Sequence, residues 1–154
     1  MAIADIGAIL GSDRQIGGTQ IETAVAKAYL VHHINDFDRV QLNVGLGPGM
    51  DLGPNVPPWV QAAATASTKP RADMILWRGD VPTIVEVKDR ANPSVMGQLL
   101  TYWHMLREDN PKLLNVYKVV AARSIQSGLQ PILERYGVSL ELFPNAVAAL
   151  GRNT

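Results

Sequence analysis

The stretch TIVEVKDR, Thr83 to Arg90, decides the fold. It has the look of a strand bound for a buried sheet, yet Glu86 and Lys88 interrupt it. Residues two apart in an extended chain point to one face, so these two charges share a face. Burying charge is costly unless something compensates it. Upstream, Ala72 to Trp77 is a second apolar run, and Gly79-Asp80 between the two is a Gly-first pair suited to a two-residue hairpin turn. With those loop residues Arg78 opposes Val81, and the register carried onward sets Asp73 against Glu86 and Arg71 against Lys88. Ile75, Trp77 and Ile84 continue the same face toward the turn. Asp73, Glu86 and Lys88 therefore gather at the hairpin end away from the turn.

The flanking segments extend this into a domain. Thr19-Gln-Ile-Glu22 matches a capping box, followed by Ile21, Val25, Ala28, Tyr29 and His32 at helical spacing, which predicts a helix over 20–34. Val40, Leu42 and Val44 alternate as a short strand. Residues 1–18 read as an irregular N-terminal segment, and 45–70 as a long Gly/Pro-rich loop with room for a short helix in WVQAAATAS. After the hairpin, Asn92 and Pro93 open a helix with the stripe Met96, Leu99, Leu100, Trp103 and Leu106. A strand over 115–121, a helix over 125–136 closed by Gly137, and a last strand with Val138, Leu140 and Leu142 complete the chain. The order predicts a single α/β domain over 1–154 around a mixed sheet.

Composition narrows the function. The chain has 154 residues, 47% hydrophobic and 18% charged, enough for one globular core. Its 14 basic and 14 acidic residues cancel, so bulk charge argues for no partner and only local patches can. The absence of cysteine excludes disulfides, thiolate zinc sites and iron–sulfur clusters. MAIADIGAIL lacks a basic n-region and a long apolar h-region, and no run approaches the roughly 18 apolar residues of a membrane span. A cytoplasmic protein without membrane contact is expected.

Two carboxylates facing each other across a strand pair repel unless a proton or cation lies between them. Mg²⁺ takes oxygen ligands, often one or two carboxylates with water and substrate phosphate. A lysine beside it can hold a phosphate or orient an attacking water. Those are the parts of metal-assisted phosphodiester hydrolysis. The same trio also reads as a salt-bridged cluster at a solvated sheet end.

Asp73 followed by VEVK with Glu86 and Lys88, after a helix and a strand and before a helix, resembles the PD-(D/E)XK nuclease superfamily. Gln98-Leu-Leu-Thr-Tyr102 on the next helix resembles the Gln-x-x-x-Tyr motif of its recombination-exonuclease branch. Alanine rather than proline precedes Asp73. The resemblance covers residues 19–143 and implies a restriction-endonuclease-like αβββαβ core with a C-terminal helix and strand. It implies a metal-dependent DNA nuclease in which Asp73, Glu86 and the backbone carbonyl of Val87 hold Mg²⁺, with Mn²⁺ as substitute. Lys88 would position the water, and Gln98 and Tyr102 would order the site. An acid on the first helix of this superfamily often reaches the metal, which implies a ligand role for Glu22 in competition with its capping role. Lys69, Arg71, Arg78 and Arg90 flank the site in sequence, and Arg107, Lys112 and Arg123 are expected to fall nearby; of these, Lys69, Arg71 and Arg90 are expected to track DNA. Targeting is expected to come from oligomerisation or a protein partner. The alternative is a catalytically inactive nuclease-fold module that binds nucleic acid or protein within a larger assembly. His32 and His33, adjacent on a helix, should face two directions and fail to chelate one ion.

Overall fold

The computed structural model describes residues 2–148, so the two ends of the expected 1–154 domain, Met1 and 149–154, lie outside the described residues. The chain runs α1 (Ala2–Leu10), α2 (Gln20–His32), β1 (Arg39–Gly45), α3 (Pro58–Thr68), β2 (Arg71–Arg78), β3 (Val81–Ala91), α4 (Ser94–Asp109), β4 (Tyr117–Ile125), α5 (Leu129–Arg135) and β5 (Val138–Leu142). One five-stranded sheet holds the strands in the order β1-β2-β3-β4-β5. β1, β2 and β3 are antiparallel neighbours, whereas β4 runs parallel to β3 and β5 parallel to β4. Parallel neighbours need crossovers, and α4 and α5 provide them. This is the αβββαβ core with its C-terminal helix and strand.

The hairpin forms as its turn residues dictate. Gly79 adopts φ +57°, as the first turn position of a Gly-first hairpin requires, and Arg78 opposes Val81. The register then runs through Trp77–Pro82, Leu76–Thr83 and Ile75–Ile84 to Met74–Val85. There it stops. Past that rung β3 continues beside β4 as far as Ala91 opposite Ile125, and β2 and β3 fork.

Each sheet face carries its own core. On one side α1 and α2 bury Ile6, Val25, Ala26, Tyr29 and Leu30 against Met74, Leu76, Val85, Val87, Val119 and Ala121. On the other, α4 and α5 bury Val95, Leu99, Tyr102, Leu106, Leu129 and Leu133 against Ile75, Ile84, Val120 and Ala122. The alternation along β2 and β3 thus sorts side chains between two apolar layers, the pattern of a sheet covered on both faces.

Three expectations are corrected. Residues 1–18 are not wholly irregular: α1 forms because Ile6, Ile9 and Leu10 stand at helical spacing and pack on the α2 side, a signal that Gly7 and Gly11 obscure. The 45–70 segment is not loop throughout: the short helix for which WVQAAATAS left room is α3, which fills most of its second half and is begun by Pro58 at its first turn. The buried stripe of α4 is Val95, Leu99, Tyr102 and Leu106. Leu100 faces out and Tyr102 faces in, so the tyrosine belongs to the stripe instead of flanking it.

Candidate active site at the strand fork

Glu86 and Lys88 share a face of β3, as a period of two demands. Glu86 is buried, 3% exposed, in a sheet face otherwise made of Ile84, Ile75 and the α4 stripe. Its Oε1 lies 3.6 Å from Lys88 Nζ, while its Oε2 is buried without any hydrogen-bond partner. Asp73 comes from β2 on the other arm of the fork. The expected rung between Asp73 and Glu86 is not formed as a ladder pair; the Asp73 carboxylate instead accepts the Val87 amide at 2.8 Å. A side chain takes the donor that a continued hairpin would have used, and the strands part at the point where the acids meet.

The electrostatics follow from that burial. Glu86 is pushed up to about 9, first by desolvation and then by the negative charge of Asp73, with Lys88 opposing. Asp73 is also raised by burial, held back by the Val87 amide and by Glu86, and pushed again by Glu22 and relieved by Lys88. Burial and mutual repulsion thus raise both acids, so without a cation the pair favours sharing a proton. Tyr102, 7% exposed on α4, is pushed up to about 12 by burial and by the charges of Glu86 and Asp73. One turn earlier, Gln98 Oε1 is a second buried acceptor without a partner. Asp73, Glu86, Lys88 and Tyr102 are thus brought together, and Gln98 stands on the same helical face as Tyr102.

Glu22 is held at the start of α2 by capping contacts. Thr19 Oγ1 accepts the Glu22 amide at 3.1 Å, closing the N-cap of α2. The reciprocal arm of the box lands one residue early, with Glu22 Oε2 accepting the Gly18 amide at 2.5 Å. Gly17, at φ +77°, makes that wrap feasible: a Cβ there would lie 2.7 Å from Glu22 Oε2. Even so held, Glu22 still raises Asp73.

The basic residues divide. Arg71 is spent on backbone, donating to the carbonyls of Asn43 at 3.2 Å and Ala66 at 2.8 Å. Lys69 closes α3 as its C-cap and packs along Gly45. Arg123 pairs with Asp89 at 2.7 Å, and Arg107 stacks on Trp103 at 4.9 Å. Arg90 is exposed, shares the face of Glu86 and Lys88 by the strand period, and has no ion pair among the described residues.

One expectation about the histidines fails. The helix ends at His32, and His33 is its C-cap with φ −106° and ψ 23°. The helical rotation that would separate the two rings does not apply across that junction, and their centroids lie 4.9 Å apart. Glu141, 108 residues away in sequence, closes on His33; no sequence signal links them.

No protein-family model matches the chain, and no curated protein does. Among solved structures it is similar to the protein of unknown function AF1548, at 10% identity and TM-score 0.48, over 86% of this chain and 67% of that one. It is also similar to EndoMS in complex with double-stranded DNA, at 15% identity and TM-score 0.46, and to a repair endonuclease from Pyrococcus abyssi, at 16% and 0.46. Both matches cover 86% of this chain, which spans about half of each of those chains, 48% and 49%.

Proposed function

We propose that this chain is a metal-dependent nuclease that hydrolyses phosphodiester bonds of DNA at the fork between β2 and β3. One observation carries the reading: Glu86 Oε2 is buried without a hydrogen-bond partner, beside the half-buried Asp73. A buried acceptor left unpaired costs about 1–3 kcal/mol, more for a charged group, and a hard cation would remove that cost at Glu86. The donor set is all oxygen, which fits Mg²⁺ or Mn²⁺. Asp73, Glu86 and the Val87 carbonyl would hold the ion, and Glu22 would stand behind as an outer acid. An ion held there would supply Lewis acidity to a phosphate oxygen and to a bound water.

The chain's own groups do the rest. Lys88, partly exposed and beside Glu86, orients the attacking water and faces the charge that grows on the phosphate in the transition state. Tyr102 keeps its proton throughout the neutral range, since its pKa is pushed up to about 12, and so remains a donor. The Gln98 amide can donate to a phosphate oxygen. Arg90 extends the face toward the backbone of the nucleic acid. Lys69 can add to this attraction; Arg71, already bonded to two carbonyls, contributes least. The resemblance of Asp73, VEVK and the Gln98/Tyr102 pair to the PD-(D/E)XK nucleases supports DNA as substrate. Targeting would come from a homo-oligomer or a protein partner.

The test is a cleavage assay on linear, circular and branched DNA with Mg²⁺, with Mn²⁺ and with EDTA, run beside Asp73→Asn. Metal-dependent cleavage that the variant loses supports the nuclease. DNA binding without cleavage under any metal makes the chain a nuclease-fold binding module, and neither activity leaves the trio as an ion-pair cluster.

A further inference from the structure

We propose a second metal site of different chemistry at the C-terminal end of α2, formed by His32, His33 and Glu141, with Asp36 orienting His33. It takes a zinc-class divalent ion and fastens α2 to β5, the last strand of the sheet. The argument starts from hydrogen counting. His33 Nδ1 lies 2.7 Å from Asp36 Oδ2, and His33 Nε2 lies 2.8 and 3.0 Å from the two Glu141 oxygens. Carboxylates only accept, and a neutral imidazole has a single N–H. Whichever nitrogen donates, the other aims a lone pair at a carboxylate. Something positive must lie between them, either a second proton or a metal ion.

His32 decides between the two. One ligand atom from each of His32, His33 and Glu141 lies within 4.8 Å of the others. A protonated His33 has no use for a second imidazole beside it, whereas a metal ion does. His33 also has the arrangement that orients metal-ligating histidines, a carboxylate on the nitrogen facing away from the ion; Asp36 is that carboxylate. Bonds of about 2.0–2.2 Å to nitrogen and oxygen place tetrahedral ligands about 3.4 Å apart. The His33–Glu141 contact therefore opens by roughly half an ångström, and the exposed His32 ring turns inward from its edge contact with Phe143. The helix C-terminus favours a cation in this position. His32 also lines a groove of about 960 Å³ bounded by α2, Asp13, Gln15 and residues 143–146, so its ring is reachable from solvent. Two imidazoles and one carboxylate suit Zn²⁺, Co²⁺ or Ni²⁺ over Mg²⁺, so the two sites of the molecule select different ions.

The test uses the full chain carrying Asp73→Asn and Glu86→Gln, so that only this second site can answer. Zn²⁺ calorimetry and the visible absorption of Co²⁺ should report one equivalent, with a rise in melting temperature. Glu141→Gln and His32→Gln should each weaken binding at least about 30-fold, and Asp36→Asn about 10–100-fold. Circular dichroism verifies that each variant is folded. If Glu141→Gln unfolds, His32→Gln decides alone, because that side chain is exposed. No saturable Zn²⁺ or Co²⁺ binding, or binding that His32→Gln leaves unchanged, overturns the site and leaves His33 as a doubly protonated ion-pair partner of Asp36 and Glu141.

Discussion

At its first turn α2 brings Glu22 toward the half-buried Asp73 and the buried Glu86, whose Oε2 has no hydrogen-bond partner. Roughly 15 Å further along the same helix, its last residues meet a carboxylate whose oxygens are both matched by His33. Both ends gather acids, but only the first leaves a buried acceptor bare. The fork sits under α4 in the dry face of the sheet, where an unmatched oxygen is expensive. The histidine end lies at the rim, where solvent and side-chain rotation can supply a partner. At the fork an ion would relieve an unmatched buried oxygen, whereas at the rim an ion would replace a His33–Glu141 contact that already exists and act as a structural fastening.

The hardest blow to that contrast is Lys88→Ala. If the fork is catalytic, cleavage should fall by at least about 100-fold, because the ammonium acts mainly on charge that develops in the transition state. DNA affinity, measured with Ca²⁺ to prevent turnover, should change by less than about tenfold, roughly 1.4 kcal/mol. Normal cleavage by the variant would reduce Lys88 to a counter-ion.

Metal binding is the next largest effect. Calorimetry should detect Mg²⁺ or Mn²⁺ in the wild type and none in Asp73→Ala or Glu86→Ala, while Glu141→Gln leaves that Mg²⁺ signal intact. Equal affinity in wild type and both fork variants would return the trio to an ion-pair cluster.

The pH dependence sharpens the comparison further. Glu86 has an ordinary value of 4.5 and rises to about 9 in the folded chain. Between those values the folded state binds more protons than the unfolded one, so this group's contribution to stability falls as pH rises through the window. Denaturant melts of the metal-free protein should show stability declining from about 4.5 toward about 9, with Mg²⁺ restoring it at the alkaline end. Glu86→Gln should flatten the decline. A wild-type profile that rises across the same range would mean Glu86 is ionised and compensated from within.

The smallest effect separates the two roles of Glu22. Thr19→Ala removes the N-cap bond and should cost about 1 kcal/mol in a denaturant melt with Mg²⁺ affinity unchanged. Glu22→Gln should cost a similar amount and also weaken Mg²⁺ binding, since it removes a negative charge felt by Asp73. Unaltered Mg²⁺ affinity in Glu22→Gln would make the residue a cap only.

Local chemistry was legible in the residues themselves. A Gly-first turn and a period of two set the hairpin register from Arg78–Val81 through Met74–Val85, and they put Glu86 and Lys88 on one face with Asp73 nearby. The Thr19 cap and the closure by Gly137, at φ +68°, are equally local, as is the separation of Gln98 and Tyr102 by one helical turn. What the chain's order could not decide was where cooperation between distant segments ends a pattern. The fork opens because β3 stays with β4 out to Ala91 while the Asp73 side chain captures the Val87 amide, a competition between partners that no single segment contains. Whether Tyr102 lay in the buried stripe depended on how α4 docks on the sheet, since a helix of mixed character offers more than one apolar face. The meeting of His33 with Glu141 required the parallel pairing of β5 with β4, which sets Glu141 beside Ala121 on the α2 side. Sequence spacing governs neighbours within a turn or a rung; contact across 108 residues is fixed only when both layers have packed.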